Sequence, residues 1–269
     1  MCYDILIVGG GPAGLSAAIN GRVRGKTVLL LSSPMEDSPL WKAERVENYL
    51  GLPGVTGAEL LTAFRRHAEA SGAELRELRA LSAMPVGDRW YLSGEDQVFE
   101  GRALVLAAGA VRGKPLPGEE RLLGRGVSYC ATCDGMLYRG RNVVVLGWTG
   151  SAEREADFLR GIGCAVRYYD RPQGVEILGE EAVTGVRVNG REEAADAVFL
   201  LRPAVAPAAL LPGLAIENGS VTVDRQMATN LPGVFAAGDC TGAPYQVAKA
   251  VGEGLIAGQS AAKWADRQG

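Results

Sequence analysis

Apolar positions along the chain fall in short unbroken runs, and two of these runs open the same succession of elements. The first, Ile5-Leu6-Ile7-Val8, leads into Gly9-Gly10-Gly11-Pro12-Ala13-Gly14 and an alanine-rich helical pattern. The second, Val143-Val144-Val145-Leu146, leads into Gly147-Trp148-Thr149-Gly150-Ser151-Ala152 and another helical pattern. Continuous apolar strands ahead of helices predict parallel strands buried on both faces. The fold class is therefore α/β, with two Rossmann-like nucleotide-binding units. Further strands are expected over Thr27–Leu31 and Val166–Tyr169 and from Val234. Between Glu59 and Ala68, the spacing of Leu60, Leu61 and Phe64 predicts a helix with a core face, leaving His67 in solvent.

Two Pro/Gly-rich stretches, Arg112–Gly118 and Asn230–Gly233, punctuate this pattern where few contacts should cross. They bracket a middle block, residues 113–229, and leave 1–112 and 230–269 to form one discontinuous domain. A chain of 269 residues, 47% apolar and 22% charged, has material for two such cores. The net charge of −3, with Lys and Arg spread along the chain, offers no nucleic-acid surface. No apolar run reaches the roughly 20 residues that cross a bilayer. Met1-Cys2-Tyr3-Asp4 runs straight into a strand with no signal peptide, so a cytoplasmic protein is expected. Five cysteines make an odd set unlike a secreted disulfide framework. Cys2, Cys164 and Cys240 stand alone and are expected to be buried as small apolar groups. Trp41 and Trp264 are expected to pack rather than to stack on a cofactor.

Gly9-x-Gly11-x-x-Gly14 follows a strand and opens a helix, the context in which this spacing binds a dinucleotide. Gly9 permits the tight turn, Gly11 lets bare backbone meet a pyrophosphate, and Gly14 lets helix and strand pack closely. The helix start at Pro12-Ala13-Gly14 adds amide donors and the positive end of the dipole. The second strand ends at Ser32, where an NAD site commonly has an acidic ribose ligand, and this makes another dinucleotide more natural. Near the C-terminus, Val234-Phe235-Ala236-Ala237 ends in Gly238-Asp239 and places a carboxylate suited to a polyol chain. Together these features point to FAD.

Cys130-Ala131-Thr132-Cys133 is the one pair of cysteines at a meaningful spacing. Two intervening residues allow a small disulfide ring whose thiols can differ in acidity. Half of a zinc site and a pair of inert thiols are the competing interpretations. Zinc takes four ligands, and the chain has a single histidine and no second Cys-x-x-Cys, so no metal is expected.

Over nearly its full length the chain resembles low-molecular-weight thioredoxin reductases, including the members that lack NADPH-binding motifs. The shared segments are Gly9–Gly14, Val46–Tyr49, Ala107-Ala108-Gly109, Cys130–Gly135, Val234–Asp239 and Gln246-Val247-Ala248. The resemblance implies an FAD domain interrupted by a shortened pyridine-nucleotide-type domain that carries the dithiol. It implies that Asp239 binds the ribityl chain and that Asn48 and Gln246 lie at the flavin, with Ala108, Gly109, Gly238 and Val247 in the same site. It further implies that Cys133 faces the flavin, Cys130 attacks the disulfide of a thioredoxin, and Asp134 is the general acid. A homodimer is implied too. Glutathione reductase-type enzymes differ, with a disulfide near the first glycine motif and a C-terminal histidine. Related dithiol oxidases typically lack the Asp that follows the second cysteine, so Asp134 favours a reductase. Two local departures stand: Asp37-Ser38-Pro39 replaces Gly-Gly-Gln before Asn48, and Tyr245 replaces an Arg before Gln246.

The second nucleotide site departs further. The family's Gly-x-Gly-x-x-Ala reads Gly147 to Ala152 here, with Trp148 beside and Thr149 at the point of close approach. The family's His-Arg-Arg for the 2′-phosphate reads Asp170-Arg171-Pro172. A lost charged hydrogen bond costs about 1.5–3 kcal/mol. Losing two weakens NADPH by about two to four orders of magnitude, at about 1.4 kcal/mol per decade. Only about a dozen residues separate Asp170 from Val183-Thr184-Gly185-Val186, and Arg202-Pro203 follows Phe199-Leu200-Leu201 without the family's Gly. The donor is therefore expected to be reduced ferredoxin, with Trp148 either packed in the core or filling the vacated pocket. An NADH- or NADPH-dependent reductase is the rival, since Asp170 suits ribose hydroxyls. Two further classes stay open: a dithiol oxidase and a non-catalytic flavoprotein redox sensor.

Overall fold

The computed structural model describes residues 2–94, 97–109, 115–129, 131–148, 152–202 and 207–268, with the side chains of residues 132 and 133 outside that set. Two compact units are present: Met1–Val111 with Ala204–Gly269, and Arg112–Pro203.

The first unit begins with β1 (Cys2–Val8), α1 (Pro12–Val23), β2 (Val28–Ser32), α2 (Gly57–Ala70) and β3 (Glu74–Glu77). A meander of β4 (Ala80–Val86), β5 (Arg89–Gly94) and β6 (Gln97–Leu106) completes its N-terminal part. The sheet order is β3-β2-β1-β6-β5-β4, parallel from β3 to β6 and antiparallel through the meander. In-register pairs such as Val8↔Leu31 and Val8↔Leu106 bring the carboxyl ends of β1, β2 and β6 to one edge. Ligands bind at that edge in a doubly wound sheet. A capping box between Thr56 and Glu59 starts α2, which buries Leu60 and Leu61 and leaves His67 exposed.

The second unit runs through α3 (Glu119–Leu122), β7 (Val127–Ser128), α4 (Ala131–Asp134), β8 (Asn142–Gly147), α5 (Ala152–Gly161) and β9 (Ala165–Asp170). It ends with β10 (Val175–Leu178), β11 (Gly185–Val188), β12 (Arg191–Ala194) and β13 (Ala197–Leu201). Strands β7-β13-β8-β9 form a parallel sheet, and β10-β11-β12 form a small antiparallel one. Strand alternation sorts the core. Val143 and Val145 pack with Ala152, Ala156 and Leu159 of α5, while Val144 and Leu146 pack with Val175, Ile177, Val186 and Val188. Three short strands therefore cover one face of this sheet and a helix the other.

The chain returns to the first unit with α6 (Pro207–Leu210), β14 (Ile216–Glu217), β15 (Ser220–Val221), β16 (Val234–Ala236) and α7 (Val247–Arg267). Strand β16 pairs with Leu104–Leu106 of β6, beyond Gly101, where β5 leaves off. Helix α7 crosses α1 closely because both are lined with small residues. A Cβ on Gly254 would lie 2.1 Å from the Ala13 carbonyl oxygen, and one on Gly258 would lie 2.5 Å from that of Ala17. Both units are α/β with parallel Rossmann-like sheets, as the apolar pattern predicts. No described helix is long and apolar enough to cross a membrane.

The described residues from Pro207 onward already belong to the first unit, ahead of the expected stretch Asn230–Gly233. The reason is packing. Leu210, Leu211, Leu214 and Val221 are buried in one cluster with Leu78, Ala80, Leu92 and Leu104 of the first unit. Pro232 is fixed there as well, its carbonyl accepting a 3.1 Å bond from the Trp90 indole. The first passage, 110–114, lies outside the described residues.

Candidate functional site

Each glycine of the first motif answers a different steric demand. Gly9 has φ +111°, and a Cβ there would lie 2.1 Å from the Ala107 carbonyl oxygen, so the turn is drawn tight against the end of β6. A Cβ on Gly14 would lie 1.9 Å from the Gly9 carbonyl oxygen, so this position lets α1 close on its own turn. Gly11 differs. With ordinary dihedrals (φ −80°, ψ −177°), it would place a Cβ within 4 Å of nothing. Its backbone faces open space. No side chain caps α1, and Pro12 fills the first turn without an N–H to satisfy. The amides of Ala13 and Gly14, which have no intrahelical acceptors, are left at the positive end of the dipole. Ser32, nearly buried at the end of β2, touches the loop: a Cβ on Gly10 would lie 2.7 Å from its Cβ. A bare-backbone cradle at an uncapped helix start fits the pyrophosphate of a dinucleotide.

Two more segments converge on this edge. Ala107 donates its N–H to Val8, and the chain then passes Ala108, half-buried, to Gly109 at φ +74°. Gly238, at φ +85°, abuts the start of α1, since a Cβ on it would lie 2.8 Å from Ala13 Cβ. Asp239 follows, half-buried, in a single helical turn over Gly238–Thr241. A polar clamp holds this turn. Glu253 accepts from the Gly238 N–H (2.8 Å), the Thr241 hydroxyl (2.8 Å) and Lys249 Nζ (3.2 Å). Lys249 donates to the carbonyls of Gly238 (2.9 Å) and Gly242 (2.7 Å) and to the Thr241 hydroxyl (2.9 Å). Beneath it the Cys240 thiol is pushed up to about 12 by burial. It donates to the Ala237 and Leu106 carbonyls and is structural.

Asn48 and Gln246, far apart in sequence, meet at the surface of the first unit. Asn48 Nδ2 donates to Gln246 Oε1 at 2.7 Å. Asn48 is positioned by the bridge between Val46 and Val55, and Gln246 by its place immediately before Val247, the first residue of α7. The neighbouring Tyr49 packs edge-on against Phe64, ring centroids 5.4 Å apart.

In the second unit, Cys130 lies outside the described residues, as does the side chain of Cys133, whose backbone belongs to α4. Asp134 is oriented by Ser128, whose hydroxyl donates to its Oδ2 at 2.7 Å. Ser128 is buried on β7, held by the pairing of β7 with Phe199 of β13. Thr149, Gly150 and Ser151 also lie outside the described residues. Gly147 is crowded: a Cβ on it would lie 2.5 Å from Ala152 Cβ and 2.8 Å from the Tyr168 ring. Asp170, at the end of β9, is exposed and accepts a long 3.4 Å bond from the Tyr168 hydroxyl.

Residues that sequence reasoning misses are those that hold the site. Lys249 and Glu253 carry one available signal, because a lysine in the first turn of a helix opposes the dipole and so has another use. Ser128 carries none that separates it from an ordinary strand serine. Cys2, expected to be buried, is exposed because it opens β1 at the outer end of the sheet. Cys164 and Cys240 are buried, and Trp41 and Trp264 pack against the core of the first unit.

The chain matches the pyridine nucleotide-disulphide oxidoreductase family over residues 3–181 and 171–254. It is 31% identical to the thioredoxin reductase of Listeria innocua, covering 98% of this chain and 94% of that protein. Among solved structures it is similar to a ferredoxin-flavin thioredoxin reductase from Clostridium acetobutylicum, with TM-score 0.92 and 39% identity over 97% of both chains. A thioredoxin reductase from Gloeobacter violaceus is also similar, with TM-score 0.82 and 31% identity over 99% of this chain and 95% of that one. Thioredoxin reductases bind FAD, and the cradle at Gly11 fits such a dinucleotide. The chain is a thioredoxin reductase-like flavoprotein with FAD as its cofactor, and it belongs to the pyridine nucleotide-disulphide oxidoreductase family.

Proposed function

We propose that this flavoprotein moves electron pairs from reduced ferredoxin to the disulfide of a thioredoxin. The observation that carries the donor is the likeness to a ferredoxin-flavin thioredoxin reductase across essentially the whole chain. The eroded second nucleotide motif, Gly147 to Ala152 followed by Asp170-Arg171-Pro172, supports it. Relatives named thioredoxin reductase support the acceptor.

In this reading the first unit holds FAD and the second, a shortened pyridine-nucleotide-type domain, carries the dithiol. Gly9, Gly11 and Gly14, with the amides of Ala13 and its neighbours after Pro12, receive the pyrophosphate. Ser32 lies beside the adenosine half. Asp239 receives the ribityl hydroxyls, kept in place by the Lys249–Glu253 clamp through Gly238. Ala108, Gly109, Val247 and the Asn48–Gln246 pair border the ring. FAD, when bound, supplies two-electron reduction of the Cys130–Cys133 disulfide. Cys130 then attacks one sulfur of the thioredoxin disulfide as a thiolate, forming a mixed disulfide and releasing a thiolate on thioredoxin. Cys133 displaces the second thioredoxin sulfur from Cys130, restoring the internal disulfide. Asp134, oriented by Ser128, supplies the proton taken up by the departing thiolate. The reading includes a homodimer acting in the cytoplasm.

A coupled assay with photoreduced ferredoxin, the holoprotein and oxidised thioredoxin tests this. Two new thioredoxin thiols should appear per electron pair, and Cys130→Ser should abolish them. Equal thiol release driven by NADPH without ferredoxin would refute the donor. Release unaffected by Cys130→Ser would refute the dithiol.

A further inference from the structure

In a doubly wound sheet a dinucleotide binds outside the carboxyl ends of the strands, where the strand order reverses. In the second unit that point lies between β8 and β13, because β9 is added on one side of β8 while β13 and β7 lie on the other. Two side chains stand there. Trp148 is the first residue beyond β8; its backbone N–H donates to the Leu201 carbonyl at 2.8 Å, and its half-buried ring packs in part against the second unit's core. Arg202 is the first residue beyond β13, and its guanidinium carbon lies 5.3 Å from the centroid of the Trp148 ring, within cation–π range.

Arg202 is held from behind. Its two terminal nitrogens bond both oxygens of Glu119 at 2.8 and 2.9 Å. The Glu119 side chain is 3% exposed and also accepts from the Tyr129 hydroxyl at 3.0 Å and the Leu116 N–H at 2.7 Å. A carboxylate buried this far, with two of its four bonds fixing one guanidinium from behind, is a costly way to decorate a surface. On the other flank, Tyr168 crowds Gly147, whose carbonyl is bridged by the Arg171 N–H at 2.7 Å.

We infer that Trp148, stacked on the Arg202 guanidinium that Glu119 clamps, closes the second unit's nucleotide crevice and is the determinant that excludes nicotinamide dinucleotides. This rests on the reading that the donor is not a nicotinamide, and it names the device responsible. The chain occupies with its own indole and guanidinium the place where an adenosine and its phosphates would lie.

The test is calorimetric titration of the anaerobic holoprotein with NADH, chosen because Asp170 disfavours a 2′-phosphate. Every variant carries Thr149→Gly, so that close approach of the backbone is possible. Thr149→Gly alone should bind no better than wild type. Adding Trp148→Ala should tighten binding by about tenfold or more, a gain of about 1.4 kcal/mol. The paired change Glu119→Gln with Arg202→Met should do the same without leaving a buried unpaired charge. Adding Trp148→Phe, which keeps a ring under Arg202, should leave binding at the level of Thr149→Gly alone. Circular dichroism and flavin content establish that each variant is folded. Folded variants of both kinds within about twofold of Thr149→Gly alone overturn the closure and leave the ferredoxin reading standing. Tight NADH or NADPH binding by the wild type, with bleaching of its flavin, overturns both.

Discussion

Replacing Gly11 and Gly14 separately by alanine should separate what the glycine motif does for the fold from what it does for FAD. At Gly11 the backbone already has dihedrals that alanine adopts, and the new Cβ meets no atom within 4 Å. The apoprotein should therefore be unharmed, or stabilised by about 0.4–1 kcal/mol as the unfolded chain loses freedom. The same Cβ intrudes where the phosphates approach the backbone. Losing one charge-assisted bond costs about 1.5–3 kcal/mol, which weakens FAD by roughly tenfold to about 150-fold at about 1.4 kcal/mol per decade. At Gly14 the Cβ would sit 1.9 Å from the Gly9 carbonyl oxygen, a backbone atom that cannot swing aside. The helix or the turn must shift, at a cost of about 1–3 kcal/mol or more. Flavin-stripped proteins would be melted by circular dichroism and titrated with FAD by fluorescence quenching. Gly11→Ala should melt at or above wild type and bind FAD weakly, whereas Gly14→Ala should melt several degrees lower. Wild-type FAD affinity in Gly11→Ala would refute the pyrophosphate assignment, and an unchanged Gly14→Ala melting point would refute the packing argument.

Other expectations follow from the same geometry. Glu253→Gln removes the charge from a clamp whose two side chains are less than a fifth exposed, so it should cost about 1.5–3 kcal/mol. Its FAD affinity should fall in parallel, and a stable variant with normal affinity would show the clamp to be incidental. Burial opposes ionisation of Asp4, but bonds from the Thr27 N–H and hydroxyl and from Arg102 outweigh it and hold the carboxyl below its ordinary value. That stabilisation is present above the unfolded value near 4 and is lost as pH falls through the lower folded value. Asp4→Asn should thus be less stable at neutral pH, with the gap narrowing below about pH 4; a gap that widens in acid would contradict the sign. A thiol reagent should label exposed Cys2 in the native protein and spare Cys240, whose thiol is pushed up to about 12 by burial; rapid native labelling of Cys240 would count against its structural role.

Much of this molecule is legible in its sequence where a local steric rule applies. Gly9, Gly11 and Gly14 are readable because each spacing corresponds to one physical demand, and Val143–Leu146 because an unbroken apolar run ahead of a helix has few other homes. Asn48 and Gln246 meet through a hydrogen bond that no local rule predicts, since the two residues are so distant along the chain. What is not legible depends on partners far along the chain. Asn230–Gly233 has the composition of a linker, yet Trp90 binds the Pro232 carbonyl, and Leu210, Leu211 and Leu214 bury themselves on the first unit. Glu119 resembles a surface charge beside Glu120 until Arg202 arrives from the end of β13. Trp148 is ambiguous between core and plug in the sequence because it does both kinds of packing, one side against the second unit's core and its ring against that same arginine.

The most direct measurement of the central claim is an anaerobic titration of the oxidised holoprotein, following its visible flavin band as each donor is added. Reduced ferredoxin should bleach the band, with two electrons beyond those taken by the flavin going to the Cys130–Cys133 disulfide, while stoichiometric NADPH and NADH leave the spectrum unchanged. Prompt bleaching by either nicotinamide, or the same electron count in Cys133→Ser as in the native protein, would contradict the account.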